Sequence, residues 1–225
     1  MKHESPRKIA KLWDSMKKKG CKLVNLRNQA QAKIDKSFLE LLEDQGFKHI
    51  KVSEIVRKSQ INRSTFYDYY LDKYDLLEQL QDRLLDEIKV HSLKVRDIVF
   101  QRGFQEEAMQ NYLLEILDYI EVNFRNFRLF LGPEIRSNFQ QKFKVTFEQI
   151  WYQDQNTQID ESSKIYLSSG TSALLVELLT IWVTKKNPES KETFSKTLMK
   201  FVSAMFITFE KDIIETNHNN QLNKF

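Results

Sequence analysis

Cysteine occurs once in this chain of 225 residues, at Cys21, so an internal disulfide is excluded and the sequence suits a reducing compartment. Glycine and proline are also scarce, at five and three, too few for a turn-rich β-sheet protein of this length. His3, His49, His91 and His218 are the four histidines, and no metal-binding spacing relates them. The chain has no uninterrupted apolar run of about 18 residues; its most apolar stretch, Ala173 to Val183, contains Glu177. The opening MKHESPRKIAK lacks the apolar centre of a signal peptide. These absences predict a cytoplasmic protein with no membrane partner. Missing too are a phosphate-cradling glycine loop, paired carboxylates at catalytic spacing and a nucleophile with base and orienter, which argues against an enzyme and assigns no cofactor.

Leu, Lys, Gln, Glu and Phe are plentiful instead, a composition that favours long helices and an all-α fold. Charge is unevenly distributed. Met1 to Glu78 carries 17 Lys and Arg against 11 Asp and Glu, whereas the remainder carries 18 against 20. A basic N-terminal third suits a polyphosphate partner, because each neutralised phosphate releases counterions; a merely soluble surface has the same composition.

Residues 1–29 form a basic arm with weak helical periodicity through Ile9, Leu12 and Trp13. It is open to three readings: a disordered tail, an extra helix packed through Trp13, or a nucleic-acid-binding extension. From Ile34 the pattern sharpens. Ile34, Phe38, Leu41 and Leu42 share one helical face, and Gly46 follows as a residue that tolerates a left-handed C-cap. Ser53 and Asn62 stand where they could cap two short helices. The second of these turns Phe66 and Tyr70 inward, leaving Arg63, Ser64, Thr65, Tyr67, Asp68 and Tyr69 on its other faces. Asp72 and Asp75 resemble a capping box opening a longer helix with Leu76, Leu77, Leu80, Leu84 and Ile88 as its stripe. Three helices with a short connection between the last two form a helix-turn-helix unit.

At Ile34 to Leu80 the sequence resembles the DNA-binding domain of the TetR family. The likeness lies in the Gly46-Phe47 break, the Val52-Ser53-x-Ile55 helix start, the Thr65-Phe66-Tyr67 centre and the Lys73 to Leu77 segment. The resemblance implies an N-terminal three-helix helix-turn-helix domain over residues 30–80. It is followed by a larger helical-bundle regulatory domain over 81–216 and a tail at 217–225. By position it implies that Ser53, Arg63, Ser64, Thr65, Tyr67, Tyr69 and Lys73 face double-stranded DNA. Arg63 is the candidate for a bidentate contact to guanine; Ser53, Thr65, Tyr67 and Lys73 are candidates for phosphate contacts. One departure concerns the turn: family members usually have Ala-Gly where this chain has Ser59-Gln60, which predicts strain if Gln60 is left-handed.

Beyond Gln101 the sequence is more helix. Leu113, Ile116, Leu117, Ile120, Phe124 and Phe127 read as one stripe ended by Gly132-Pro133, and Ile135 to Trp151 as another. Ile165 to Val183 and Thr193 to Ile214 read as two long apolar helices. The family implies a homodimer built on such helices, with Leu174, Leu178, Trp182, Phe201, Met205 and Phe209 as candidate interface residues. It also implies a small-molecule effector. Tyr112, Tyr119, Phe143, Phe147, Trp151 and Tyr166 are candidates to line its pocket, although aromatics at helical spacing also make plain core. Gly170 to Trp182, with the preceding FRNFRLFLGPEIRSNFQQKF, resembles the DhaS-type branch of the family. The expected function is repression of a near-palindromic operator, relieved by a small molecule, by a protein that is nucleoid-associated when bound to DNA. The alternative is control by a partner protein with no small-molecule site.

Overall fold

The computed structural model describes residues 29–100, 106–133, 135, 138–152 and 161–205. The basic arm up to residue 28, with Cys21 and Trp13, and the tail from 217 lie outside the described residues. Those described are helical, with no strand among them. The chain divides into two compact units between Leu80 and Gln81.

In the first unit, α1 (residues 29–45) buries Ile34, Phe38 and Leu42, while Leu41 stays partly exposed. It stops at Gly46, whose φ of 71° and ψ of 156° are open to glycine and strained for any L side chain. Phe47–His49 then make a single 3-10 turn. α2 (Val52–Ser59) and α3 (Arg63–Tyr67) follow, joined through Gln60, which is left-handed at φ 54° and ψ 43°. The strain expected at this turn is therefore present. Ser59 is buried beside it, its hydroxyl donating to the Ile55 carbonyl at 2.6 Å.

The helix starts are set by different residues than the sequence pattern alone implies. α2 begins at Val52, two residues earlier than a Ser53 cap would place it, with Lys51 at its N-cap and Ser53 already inside the first turn. Glu54 Oε2 accepts from the Lys51 N–H at 2.8 Å, so the carboxylate organises this end. Asn62 sits at the N-cap of α3 without a side-chain capping bond. Asp72, in contrast, caps as expected: its Oδ1 accepts from the amides of Tyr74 at 2.8 Å and Asp75 at 2.9 Å. Asp75 reaches back to the Leu71 amide at 2.8 Å. This double cap opens α4 (Lys73–Phe100).

The second unit contains the rest of α4, then α5 (Glu106–Val122), α6 (Phe124–Leu131), α7 (Phe139–Tyr152), α8 (Glu161–Thr184) and α9 (residues 191–205). The stripe expected to run unbroken from Leu113 to Phe127 bends at Asn123, whose side-chain amide donates to the Tyr119 carbonyl at 3.0 Å. α7 starts at Phe139, later than Ile135. Phe127, Phe130, Phe139, Phe143 and Phe147 form one buried cluster, with neighbouring ring centres 5.0 to 6.0 Å apart. α8 is the central helix of this unit, packed against α6 and α7. Over Ser162–Thr184 it is long and apolar enough to cross a membrane, but half of its most apolar window is buried inside the unit, as a core helix requires.

Candidate nucleic-acid interface

α3 is only five residues long, so its orientation depends on what holds it from behind. Phe66 and Tyr70 supply that anchor: both rings are buried, with centres 5.8 Å apart. The Tyr70 hydroxyl donates to Asp35 Oδ1 at 2.6 Å and accepts from Gln31 Nε2 at 3.1 Å, tying the end of the recognition segment to α1. Gln31 and Asp35 are positioning residues that the sequence reading missed. Their signal is an i, i+4 polar pair beside the Ile34 and Phe38 stripe.

α2 is held to α1 by charge. Lys58 Nζ lies 3.2 Å from Glu40 and 3.5 Å from Asp44, and the Glu40 hydrogen bond is the chief cause that raises the Lys58 ammonium above its ordinary value. The two short helices are thus fixed by a buried aromatic pair on one side and a surface ion cluster on the other.

The outward face of α3 carries Arg63 and Ser64, both exposed, and Tyr67, which is 47 % exposed. Thr65 and Tyr69 are half-buried at its edges. Ser53 is exposed on the first turn of α2. Arg63 Nη2 donates to the Tyr67 hydroxyl at 3.3 Å. Asp68, also exposed, adds the face's carboxylate. This is a surface of forked donors, hydroxyls and one acid, the chemistry that reads base edges and phosphates.

Lys73 is turned inward. Its ammonium donates to the carbonyls of Ile50 at 2.9 Å, Phe47 at 3.0 Å and Lys48 at 3.4 Å, and lies over the Phe47 ring at 4.7 Å. Those bonds engage all three of its N–H donors, so the geometry gives Lys73 a bracing role and adds nothing to the expected phosphate contact.

Of the aromatics expected around a ligand, two share one cavity among the described residues. Tyr112 and Phe147 line a cavity with Leu113, Ile116, Leu117, Leu175, Leu179 and Leu198, but its free room is about 10 Å³, the space of about one water. Phe143 is wholly buried and stacks on Phe147 with ring centres 5.0 Å apart, without itself entering that lining. Tyr166 is 76 % exposed and stands outside that lining; α8 is apolar on several faces, so periodicity does not distinguish its outer side. The Trp151 side chain lies outside the described residues. Tyr112 shares a 2.7 Å hydrogen bond with Ser92, and burial pushes its phenol up. Tyr119 donates to the Leu84 carbonyl at 3.1 Å, and burial, with a contribution from Glu87, pushes it up to about 12. Among the described residues no group of three or more His, Cys, Asp or Glu could hold a metal ion.

Trp182 also requires correction. It is 3 % exposed, stacked on Phe194 with centres 4.8 Å apart, and its Nε1 donates to the Glu189 carbonyl at 2.9 Å. The indole closes the α8–α9 hairpin and has no surface left for a second subunit. Leu174, Leu178 and Met205 are partly exposed and Phe201 is 45 % exposed; Phe209 lies outside the described residues.

Two family models match the chain, one described as bacterial regulatory proteins of the tetR family over residues 39–80 and one as a transcriptional regulator C-terminal region over 107–204. Among curated relatives, the uncharacterized HTH-type transcriptional regulator YxbF of Bacillus subtilis (strain 168) is 29 % identical over 171 residues, 75 % of this chain and 43 % of the relative. DhaS of Lactococcus lactis subsp. lactis (strain IL1403), an HTH-type dhaKLM operon transcriptional activator, is 27 % identical over 117 residues, 52 % of this chain and 56 % of its own. The chain thus spans about half the length of these two relatives. A solved structure of the dihydroxyacetone kinase operon activator DhaS superposes with a TM-score of 0.54 at 19 % identity, covering 80 % of this chain and 97 % of that one, which bears on fold alone. With matches to both the N-terminal and the C-terminal models, the chain belongs to the TetR family of transcriptional regulators.

Proposed function

We propose that this protein is a cytoplasmic regulator that binds double-stranded DNA as a homodimer and controls transcription from a near-palindromic operator. The observation that carries the reading is the outward face of α3: Arg63, Ser64 and Tyr67 exposed over a buried Phe66 and Tyr70 anchored to α1. Two such helices related by a two-fold axis fit successive major grooves. Leu174 and Leu178 of α8 with Phe201 of α9 leave apolar surface of the kind a symmetric four-helix interface covers. Repression relieved by a small molecule is one form of control. Activation is another, since the relative DhaS carries that role in its name.

A second reading, control by a partner protein, is supported by one observation among the described residues: the cavity that Tyr112 and Phe147 line has about 10 Å³ of free room, below the roughly 300 Å³ of a drug-sized effector's pocket. The test of the main reading is selection of bound duplexes from a random pool, followed by binding of Arg63→Ala to the recovered sequence. The expected result is a two-fold symmetric consensus that Arg63→Ala binds less tightly by about 1–3 kcal/mol. Recovery of no consensus, or unchanged affinity and salt slope in the variant, would sink the reading.

A further inference from the structure

An arginine used to read a base must be fixed in one pose, and a long flexible side chain loses most of its rotamer freedom in the process. The Arg63 guanidinium already has a seat. Its Nη2 donates to the Tyr67 hydroxyl at 3.3 Å, and its central carbon lies 5.7 Å from the centre of the Tyr67 ring. Tyr67 in turn meets Phe66 edge to face, with centres 5.5 Å apart and planes at 88°. Phe66 is fully buried. From core to solvent the order is Phe66, Tyr67, Arg63, one rigid ring supporting the next group outward. The bond to Tyr67 engages one of five guanidinium N–H donors and leaves four for a two-pronged contact with guanine.

We infer that Tyr67 is a positioning residue for Arg63, setting the guanidinium pose before DNA arrives. This rests on the reading of α3 as the base-reading helix. It differs from a phosphate contact, which strengthens binding to all sequences alike. A positioning residue acts on discrimination at the one base pair its partner reads.

The probes are the duplex recovered by selection and a set of duplexes in which each G·C pair is replaced in turn. Arg63→Ala identifies the pair that Arg63 reads, as the one where the ratio of affinities collapses. Tyr67→Ala is expected to lower the ratio at that same pair by about threefold to tenfold and to leave the other pairs unchanged. Tyr67→Phe, which keeps the ring and loses the hydroxyl, is expected to lower it less. The double variant Arg63→Ala with Tyr67→Ala should discriminate no worse than Arg63→Ala alone. Uniform weakening across all duplexes by Tyr67→Ala, or losses that multiply in the double variant, would overturn the inference while leaving the DNA-reading role of α3 intact. A ratio unchanged by Arg63→Ala at every pair would overturn both. Because Tyr67 is 47 % exposed, thermal unfolding of its variants should stay near that of the parent, which separates a lost pose from a lost fold.

Discussion

Replacing Gln60 by glycine should make the protein more stable, although it removes a side chain and adds freedom to the unfolded chain. Gln60 sits at φ 54° and ψ 43°, the left-handed region, and is exposed. An L-residue held there costs about 1–2 kcal/mol. Glycine relieves that strain but is freer when unfolded, an offset of about 0.4–1 kcal/mol. The net expectation is about 0.5–1 kcal/mol of added stability, or roughly 3–6 °C in the midpoint of a unit of this size. Gln60→Ala, which keeps the Cβ, should leave the midpoint nearly unchanged, and Gln60→Asn should fall between the two. Thermal unfolding followed by circular dichroism on the three variants provides the measurement. A midpoint for Gln60→Gly equal to or below that of Gln60→Ala would refute the assignment of backbone strain to this turn.

Gly46→Ala should act in the opposite direction, losing about 1–3 kcal/mol in urea unfolding; a Cβ there meets no atom within 4 Å, so the loss would report φ alone. Tyr70→Phe removes the bonds to Asp35 and Gln31 and should cost about 1–2 kcal/mol, together with weaker DNA binding in a gel-shift titration. Ser172 is fully buried, with no partner for its hydroxyl among the described residues, so Ser172→Ala should be neutral or stabilising by up to about 1 kcal/mol in the same urea assay. Tyr119 should make stability fall as pH rises from about 10 towards about 12, because the unfolded chain releases this proton first. Urea midpoints measured across that window should show a shallower decline in Tyr119→Phe.

Where one residue decides local structure, the sequence was readable. Gly46 ends α1, Asp72 with Asp75 opens α4, and the Ile34, Phe38, Leu42 spacing marks a buried face because a 3.6-residue period has one inward side. Ser53 does not cap α2, because Glu54 reaching back to the Lys51 amide sets the start two residues earlier. The bend at Asn123 was hidden because the apolar stripe continues in phase across it. Tyr166 and Trp182 illustrate the larger limit. Periodicity tells which residues share a face, whereas what covers that face depends on neighbours distant in sequence, and so Trp182 meets Phe194 inside the chain while Tyr166 faces out.

The grip of Lys73 on three carbonyls of one turn has a consequence for substitution. An ammonium is a tripod whose N–H bonds diverge from one atom, suited to a cup of oxygens; a guanidinium is a flat fork suited to paired acceptors lying in a plane. Arginine would preserve the charge at this position and lose the shape. The loop between α1 and α2 therefore selects its residue by geometry, and a conservative exchange on paper becomes a disruptive one at this position.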